Sequence, residues 1–148
     1  MVTATTRVRP ARAEAAHRTS LAGWAVRAII SAHMIAIVGQ PVFAGVYLSG
    51  NFDGLRWHAL GADVVTSLGY LQMIAAAVVW IRVRHSGLFL ASLAVVAAET
   101  VQYLAGMDGA LWLHLPLGVL TIVGLVVQFI VVWRRPLRPV PRTEGGNA

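Results

Sequence analysis

The sequence predicts an all-α integral membrane protein, an antiparallel four-helix bundle built from two repeated helix pairs. The chain is 57% hydrophobic and 12% charged, whereas a soluble domain usually carries about twice that charged fraction. Its apolar residues are concentrated in four stretches, each close to the roughly 20 residues that a helix needs to cross a bilayer. The connections between the stretches are short, and such connections place consecutive helices side by side in opposite directions.

The four apolar stretches set the expected spans and the domain boundaries. We expect the spans at 24–48, 56–81, 88–104 and 111–133. The bundle then occupies residues 21–133, between an Arg-rich tail at 1–20 and a tail rich in Pro and Arg at 134–148. Positive charges precede the first stretch, as in a signal peptide, but its apolar run exceeds the usual ~7–15 residues. We therefore expect an uncleaved first span.

The distribution of charge predicts the orientation in the membrane. All twelve basic residues are Arg. Both tails are basic, as is the second connection, which carries Arg82 and Arg84, whereas the first and third connections carry Asp53 and Asp108 and no Arg. Because cytoplasmic segments hold the excess of positive charge, we expect a multi-pass protein of the bacterial plasma membrane with both termini in the cytoplasm.

Composition also excludes several classes of function. The sequence has no Cys, which excludes disulfides, thiolate metal sites, iron–sulfur clusters and covalent haem attachment through Cys-x-x-Cys-His. It has no phosphate-binding loop, zinc spacing or nucleophile motif of a soluble hydrolase. The Arg clusters flank apolar spans rather than forming a stripe with aromatic residues, so they indicate contact with membrane lipid and not with nucleic acid.

The second half of the chain repeats a pattern of the first half. Leu-Arg-Trp-His at 55–58 corresponds to Leu-Trp-Leu-His at 111–114, and each His is followed by Gln about four helical turns later. The residues that correspond are Gln40 and Gln102, His58 and His114, Gly61 and Gly118, Gln72 and Gln128. These offsets predict two helix pairs related by a pseudo-two-fold axis along the membrane normal.

His58 and His114 are the candidate metal ligands. Each lies about one turn inside the outer end of its helix, so the two imidazoles should lie at equal depth on diagonal helices. Two facing imidazoles are the axial ligand set of a b-type haem, and the small residues Gly61 and Gly118 leave room beside them. The alternative is that these histidines are interfacial and that the glycines serve close helix packing.

Gln40 and Gln102 occupy matching positions in the first and third helices. Their side chains can bind haem substituents, orient a ligand histidine or bind a quinone carbonyl, since ligand histidines commonly have such partners. Hydrogen bonding between helices is the alternative.

Three further polar residues lie inside the predicted spans. Glu99 lies about one turn from Gln102 on the same face, and a carboxylate at this depth indicates function by default. It can carry protons, bond a histidine or simply bond a neighbouring helix. Asp63 lies off the face of His58, in a separate polar stripe. His33 lies in the inner half at the depth of the repeated glutamines; we expect a structural role for it, and one haem only.

The repeated Gln–Gly–His pattern resembles one four-helix half of the haem A synthase family, over about residues 24–133. That family has two four-helix bundles, each with a histidine pair near the outer side, and His58 and His114 match the ligand positions. The family has a glutamate three residues before its second-helix histidine, where this chain has Leu55 and, in the other half, Leu111. The resemblance therefore implies haem binding by a half-sized relative, as a possible homodimer, and not haem A synthesis.

Together these observations predict a membrane protein with one haem b held by His58 and His114 near the extracytoplasmic side. It would serve electron transfer or haem handling, with a quinone or a membrane redox partner. Two alternatives stay open. One is a cofactor-free scaffold with polar residues joining its helices. The other is a small proton or cation transporter, with Glu99 and Asp63 lining the path.

Overall fold

The computed structural model describes residues 21–84 and 86–134, and these residues form four helices. The helices are α1 (Leu21–Leu48), α2 (Asp53–Val83), α3 (Gly87–Met107) and α4 (Leu111–Arg134). Each is long and apolar enough to cross a membrane, which confirms the expected multi-pass helical class. The predicted tails, apart from Arg134, lie outside the described residues.

Each helix occupies its predicted apolar stretch and extends beyond it by one to three residues at one or both ends. In α2 and α4 the helical backbone continues into polar residues that suit a helix end. Asp53 lies in the first turn of α2, and Arg82 and Arg134 lie in the last turns of α2 and α4. Acidic side chains at a helix start and basic ones at its end interact favourably with the helix dipole.

The connections are even shorter than predicted, and left-handed backbone makes their turns possible. Gly50 and Gly109 have φ angles of 92° and 73° in the first and third connections, a conformation that glycine adopts without steric cost. Arg84 ends α2 with a φ of 57°, and its N–H donates to the carbonyl of Trp80 at 2.8 Å. This is the left-handed helix end usually taken by glycine.

The helices form a bundle in which each helix packs against two others. α1 packs against α2 and α4, and α3 packs against the same two helices. Within the described residues, the backbones of α2 and α4 do not approach each other directly. The two histidine-bearing helices are therefore diagonal, as predicted, and they can meet only through side chains that reach the bundle axis.

Two apolar layers and one polar layer fill the core. One apolar layer comprises Val26, Ile30, Val79 and Val132, and the other comprises Ile37, Val65, Val95 and Leu125. Between them lies the polar layer of His33, Gln72, Ser92 and Gln128, and Glu99, one turn past Val95 in α3, contacts His33 of this layer; all five are buried. Large apolar side chains on the outside of the helices are exposed, for example Ile35 and Val119, as helices facing lipid require.

A buried arginine joins the start of α1 to the end of α4. The Arg27 guanidinium lies 5.2 Å from the ring centroids of both Trp24 and Trp133, and its Nε donates to the carbonyl of Val132 at 3.2 Å. Arginine between two aromatic faces is a favourable cation–π arrangement. The sequence did not single out Arg27, because a lone Arg near a span end usually reaches toward lipid head groups.

Candidate functional site

His58 of α2 and His114 of α4 meet at the axis of the bundle. Their ring centroids are 5.9 Å apart, and their planes are inclined by 74°. Both side chains are half-buried. The pair therefore bridges the two diagonal helices whose backbones do not touch.

An equivalent hydrogen bond to a backbone carbonyl orients each of the two histidines. His58 Nδ1 lies 3.2 Å from the backbone oxygen of Gln40, and His114 Nδ1 lies 2.9 Å from the backbone oxygen of Gln102. Because a carbonyl oxygen only accepts, Nδ1 carries the proton in both rings, and in the neutral ring Nε2 then holds the lone pair. Neither Nε2 atom has a hydrogen-bond partner in the described part of the chain.

The pair offers two imidazole nitrogens, the donor type that can bind haem iron. A metal-ligating histidine commonly donates its other N–H to a carbonyl, which sets the tautomer. Two imidazoles on one metal have centroids roughly 6 Å apart, because each ligating nitrogen lies about 2 Å from the metal. The observed 5.9 Å agrees with that separation. Two protein ligands suffice for haem iron, since the porphyrin supplies the other four.

The space beside the histidines is occupied by glutamine side chains. A Cβ at Gly61 would collide with the Gln40 side-chain amide, and one at Gly118 would lie 3.1 Å from Gln102 Nε2. The two glycines thus make room for the two amides. The cavity between the histidines has a volume of about 40 Å³, which suits a water molecule. A planar macrocycle does not fit in this cavity as it stands, because the two amides fill the space beside the rings.

Gly106 allows His114 to reach the backbone of α3. A Cβ at this position would lie 2.9 Å from both Nδ1 and Cε1 of the ring. The imidazole therefore packs directly against the helix surface, where it reaches the Gln102 carbonyl. The sequence contained this signal, because small residues follow both Gln40 and Gln102 by about one turn.

The polar layer connects all four helices through side chains. His33 Nδ1 is hydrogen bonded to Gln72 Oε1 at 3.0 Å. The Gln72 amide nitrogen donates to Gln128 Oε1 at 2.6 Å and to Ser92 Oγ at 3.3 Å. This confirms the predicted convergence of His33, Gln72 and Gln128. The sequence did not single out Ser92, whose only signal was its position two turns before Glu99 on the same face of α3.

Glu99 links the polar layer to the cavity at the histidines. Its Oε1 lies 2.8 Å from His33 Nε2, so the two residues join the diagonal helices α1 and α3. Glu99 also lines the cavity together with His58 and His114. Glu99 thus contacts His33 at ion-pair distance, and its functional role stays a prediction.

Asp63 contacts neither His58 nor Glu99 directly, but its hydrogen-bond partner Tyr103 lines the cavity at the histidines. Its exposed carboxylate accepts a hydrogen bond from the Tyr103 hydroxyl at 3.1 Å. Ser67 donates to the Asp63 backbone oxygen at 2.8 Å, and Tyr70 is exposed nearby on the same helix. The structure thus keeps this stripe separate from His58, as the helical offset predicted.

No protein-family model matches this sequence, and comparison with curated proteins and with solved structures gave no match either.

Proposed function

We propose that this chain is an integral membrane b-type haem protein, with one haem b held between His58 and His114, that serves electron transfer or haem handling. The observation that carries the proposal is the matched orientation of the two imidazoles. Each ring is anchored through Nδ1 on a backbone carbonyl of the neighbouring helix. Each therefore presents an Nε2 lone pair without a partner to the same small volume.

The chain's own residues have distinct roles in this proposal. His58 and His114 hold the iron, and the Gln40 and Gln102 carbonyls keep both rings in the ligating tautomer. The amides of the same two glutamines lie over Gly61 and Gly118, where they can turn to bond the edge of the cofactor. Bound haem would supply one-electron chemistry, exchanged with a quinone or a membrane redox partner.

The finer architecture belongs to the same proposal. We infer an antiparallel bundle with both termini in the cytoplasm of a bacterial cell, a homodimer as the assembly, and two helix pairs of common origin. The contact between Trp24 and Trp133, with centroids 5.9 Å apart, supports the antiparallel arrangement, as do the two matching His–carbonyl bonds. The resemblance to half of haem A synthase agrees with the haem assignment.

A visible spectrum tests the haem assignment. The protein is expressed with haem supplied, purified in mild detergent and measured oxidised and reduced with dithionite. We expect a sharp reduced α band that disappears in His58→Ala and in His114→Ala. His17→Ala and His85→Ala, at histidines outside the described residues, are matched controls and should keep the band. A colourless wild-type protein that is folded contradicts the proposal.

The absence of Cys makes the orientation easy to test. Ser49→Cys and Ser86→Cys each introduce one thiol, in the first and second connections. On intact spheroplasts, a membrane-impermeant maleimide should label the first variant and spare the second until the membrane is opened. Labelling of Ser86→Cys alone contradicts the proposed orientation.

The polar layer favours a second candidate, a cofactor-free scaffold. Its side chains join all four helices through hydrogen bonds, and such bonds stabilise helix association in a bilayer. A scaffold predicts colourless protein and full tolerance of His58→Ala and His114→Ala, so the same spectra separate the two functions.

A further inference from the structure

The cavity at the histidine pair has the size and the donor atoms for a single metal ion. Its volume is about 40 Å³, which admits one ion or one water molecule. His58 and His114 both line it. The Nε2 atom of each neutral ring holds a lone pair and has no hydrogen-bond partner in the described part of the chain. Imidazole in this state is the commonest metal ligand in proteins.

Two further residues at the cavity carry buried acceptor atoms without a partner. Gln40 is 8% exposed and Glu99 is 5% exposed, and both line the cavity. Gln40 Oε1 and Glu99 Oε2 accept no hydrogen bond from the residues that the structure describes. An unpaired acceptor in an interior of low dielectric constant is costly. A cation in the cavity lowers that cost, whereas an anion raises it, so these oxygens favour a cation.

The available ligands indicate an ion that is stable with two nitrogens. Within the described residues, no group of three or more His, Cys, Asp or Glu side chains can hold a metal ion together. Zinc in proteins takes three or four protein ligands, and calcium and magnesium take larger sets of oxygen ligands. Monovalent copper is stable with two nitrogen ligands in a nearly straight line, and imidazole is a ligand that suits copper.

The arrangement of the two rings agrees with such a two-coordinate ion. With each ligating nitrogen about 2 Å from the metal, two imidazoles in line have centroids roughly 6 Å apart, and the observed distance is 5.9 Å. The ring planes are inclined by 74°. This inclination is compatible with ligation, because rotation about the line through the metal leaves both nitrogen–metal bonds unchanged.

The charges at the cavity favour a monovalent ion over a divalent one. Among the described residues that line the cavity, Glu99 is the only carboxylate, so these residues supply at most one negative charge. Positive charge without a counter-charge in a membrane interior is costly. Neutral imidazole nitrogens also favour copper over sodium and potassium, which prefer oxygen ligands.

We propose that His58 and His114 bind one monovalent copper ion through their Nε2 atoms when the site holds no haem. Gln40 and Glu99 stabilise the bound ion through their unpaired oxygens. This inference goes beyond the proposed function, because the ion fits the cavity as it stands. Copper and haem iron would use the same two nitrogen atoms, so each excludes the other.

A copper titration of the full chain, purified in mild detergent without added haem, tests the site. Cu(I) is supplied under anaerobic, reducing conditions against a coloured competing chelator, bathocuproine disulfonate. We expect one copper per chain. His58→Ala and His114→Ala should each lower the copper affinity by about 100-fold or more, since loss of only a ligand's hydrogen-bond partner already costs about 10–100-fold. His85→Ala, outside the described residues, is the control and should bind like wild type. Unchanged affinity in either alanine variant of the pair overturns the proposal.

X-ray absorption at the copper edge reports the ligands directly. The copper-loaded protein should show two nitrogen ligands about 2 Å from the metal. A sulfur ligand, or a set of three or more ligands, overturns the two-coordinate site.

His114→Met and His114→Leu separate ligation from packing. Met and Leu have similar volumes, but only Met carries a thioether, which is a good ligand for Cu(I). His114→Met should therefore keep most of the copper affinity that His114→Leu loses. Thermal unfolding midpoints show that both variants fold. Equal copper affinities in the two folded variants overturn the role of His114 as a ligand.

The copper titration and the haem spectra distinguish this inference from the proposed function. If the protein stays colourless with haem but binds copper through the pair, the copper site is supported and the haem assignment fails. If haem binds and the haem-free protein takes up no copper, the haem assignment stands and the copper site is overturned. If both bind, prior loading with copper should block haem uptake; unhindered haem uptake by the copper-loaded protein overturns the shared site.

Discussion

The histidine pair and the polar layer are both polar regions of an apolar bundle, yet their hydrogen bonding differs. At the pair, His58 and His114 use one nitrogen each on a backbone carbonyl and are only half-buried. In the polar layer, His33 is fully buried and uses both nitrogens on side chains, those of Gln72 and Glu99.

This difference in hydrogen bonding distinguishes a histidine that is available to a ligand from a histidine that joins helices. A histidine whose two nitrogens are both engaged has no lone pair left for a metal and instead stabilises the packing of its neighbours. A histidine that is oriented through one nitrogen and bare at the other is prepared for a ligand. The first pattern describes His33, and the second describes His58 and His114.

The largest expected effect comes from exchanging a histidine for glycine and adding free imidazole. His58→Gly and His114→Gly should each lose the haem spectrum, and added imidazole should restore it, because the half-buried site admits a small ligand. Visible spectra measured against imidazole concentration check this. In His33→Gly the haem spectrum, measured per folded molecule, should persist without added imidazole. If His33→Gly also loses the haem spectrum, the proposed difference between the histidine pair and the polar layer is wrong.

Next in size is the loss of stability from breaking the polar layer. His33→Leu leaves Glu99 Oε1 without its ion-pair partner and Gln72 Oε1 without its hydrogen bond, which should cost about 3 kcal/mol or more. The thermal unfolding midpoint, followed by tryptophan fluorescence in detergent, should fall markedly. Because removing both partners avoids an unpaired group, His33→Leu with Glu99→Leu should be less destabilised than the two single effects added together. If the destabilisation of the double variant equals the sum of the two single effects, the His33–Glu99 contact contributes nothing to stability.

A smaller effect should distinguish the two glycines that face the glutamine amides. Gly61→Ala collides with the Gln40 amide, so overpacking of about 1–3 kcal/mol is expected. Gly118→Ala meets Gln102 at 3.1 Å and should cost less. Gly45→Ala, with nothing nearby, should be neutral or stabilising, since alanine favours helix. Unfolding midpoints check the order; equal effects at Gly61 and Gly45 would contradict the packing.

The smallest effect should come from one hydroxyl beside Gln102. Thr121 Oγ1 donates to the backbone oxygen of Leu117 at 2.7 Å and also lies 3.3 Å from Gln102 Oε1. Thr121→Val should lower stability by about 0.5–1.5 kcal/mol and slightly change the haem spectrum. Thr100→Val is the control, because Thr100 bonds only its own helix, at Val96. An identical response of the two variants would exclude a role for the Thr121–Gln102 bond.

The four helices could be predicted because their causes are local. Apolar composition and length over about 20 residues decide whether a segment crosses a bilayer, and Gly50 and Gly109 mark two of the turns. The ends were less accurate, since α2 begins at Asp53 and α3 runs to Met107, past the apolar runs. A hydropathy pattern marks the apolar run, whereas the helix end depends on where the backbone hydrogen bonds stop.

Part of the candidate site could also be predicted, because it depends on spacing within single helices. The repeat singled out His58 and His114 with their glutamines, and helical spacing set Asp63 apart from them. The sequence could not show that the backbone atoms and the side-chain atoms of Gln40 and Gln102 have different roles. Their backbone oxygens anchor the rings, while their side chains fill the space over Gly61 and Gly118.

The sequence by itself therefore determined the helical class, the apolar spans and the candidate site residues, because each depends on composition and spacing within one helix. Only the tertiary structure decided the pairings between helices. It set the two diagonal imidazoles 5.9 Å apart and brought Glu99 to His33 across the bundle. Such contacts depend on the relative rotation and depth of helices far apart in the chain, and that information lies in the packing of all four together.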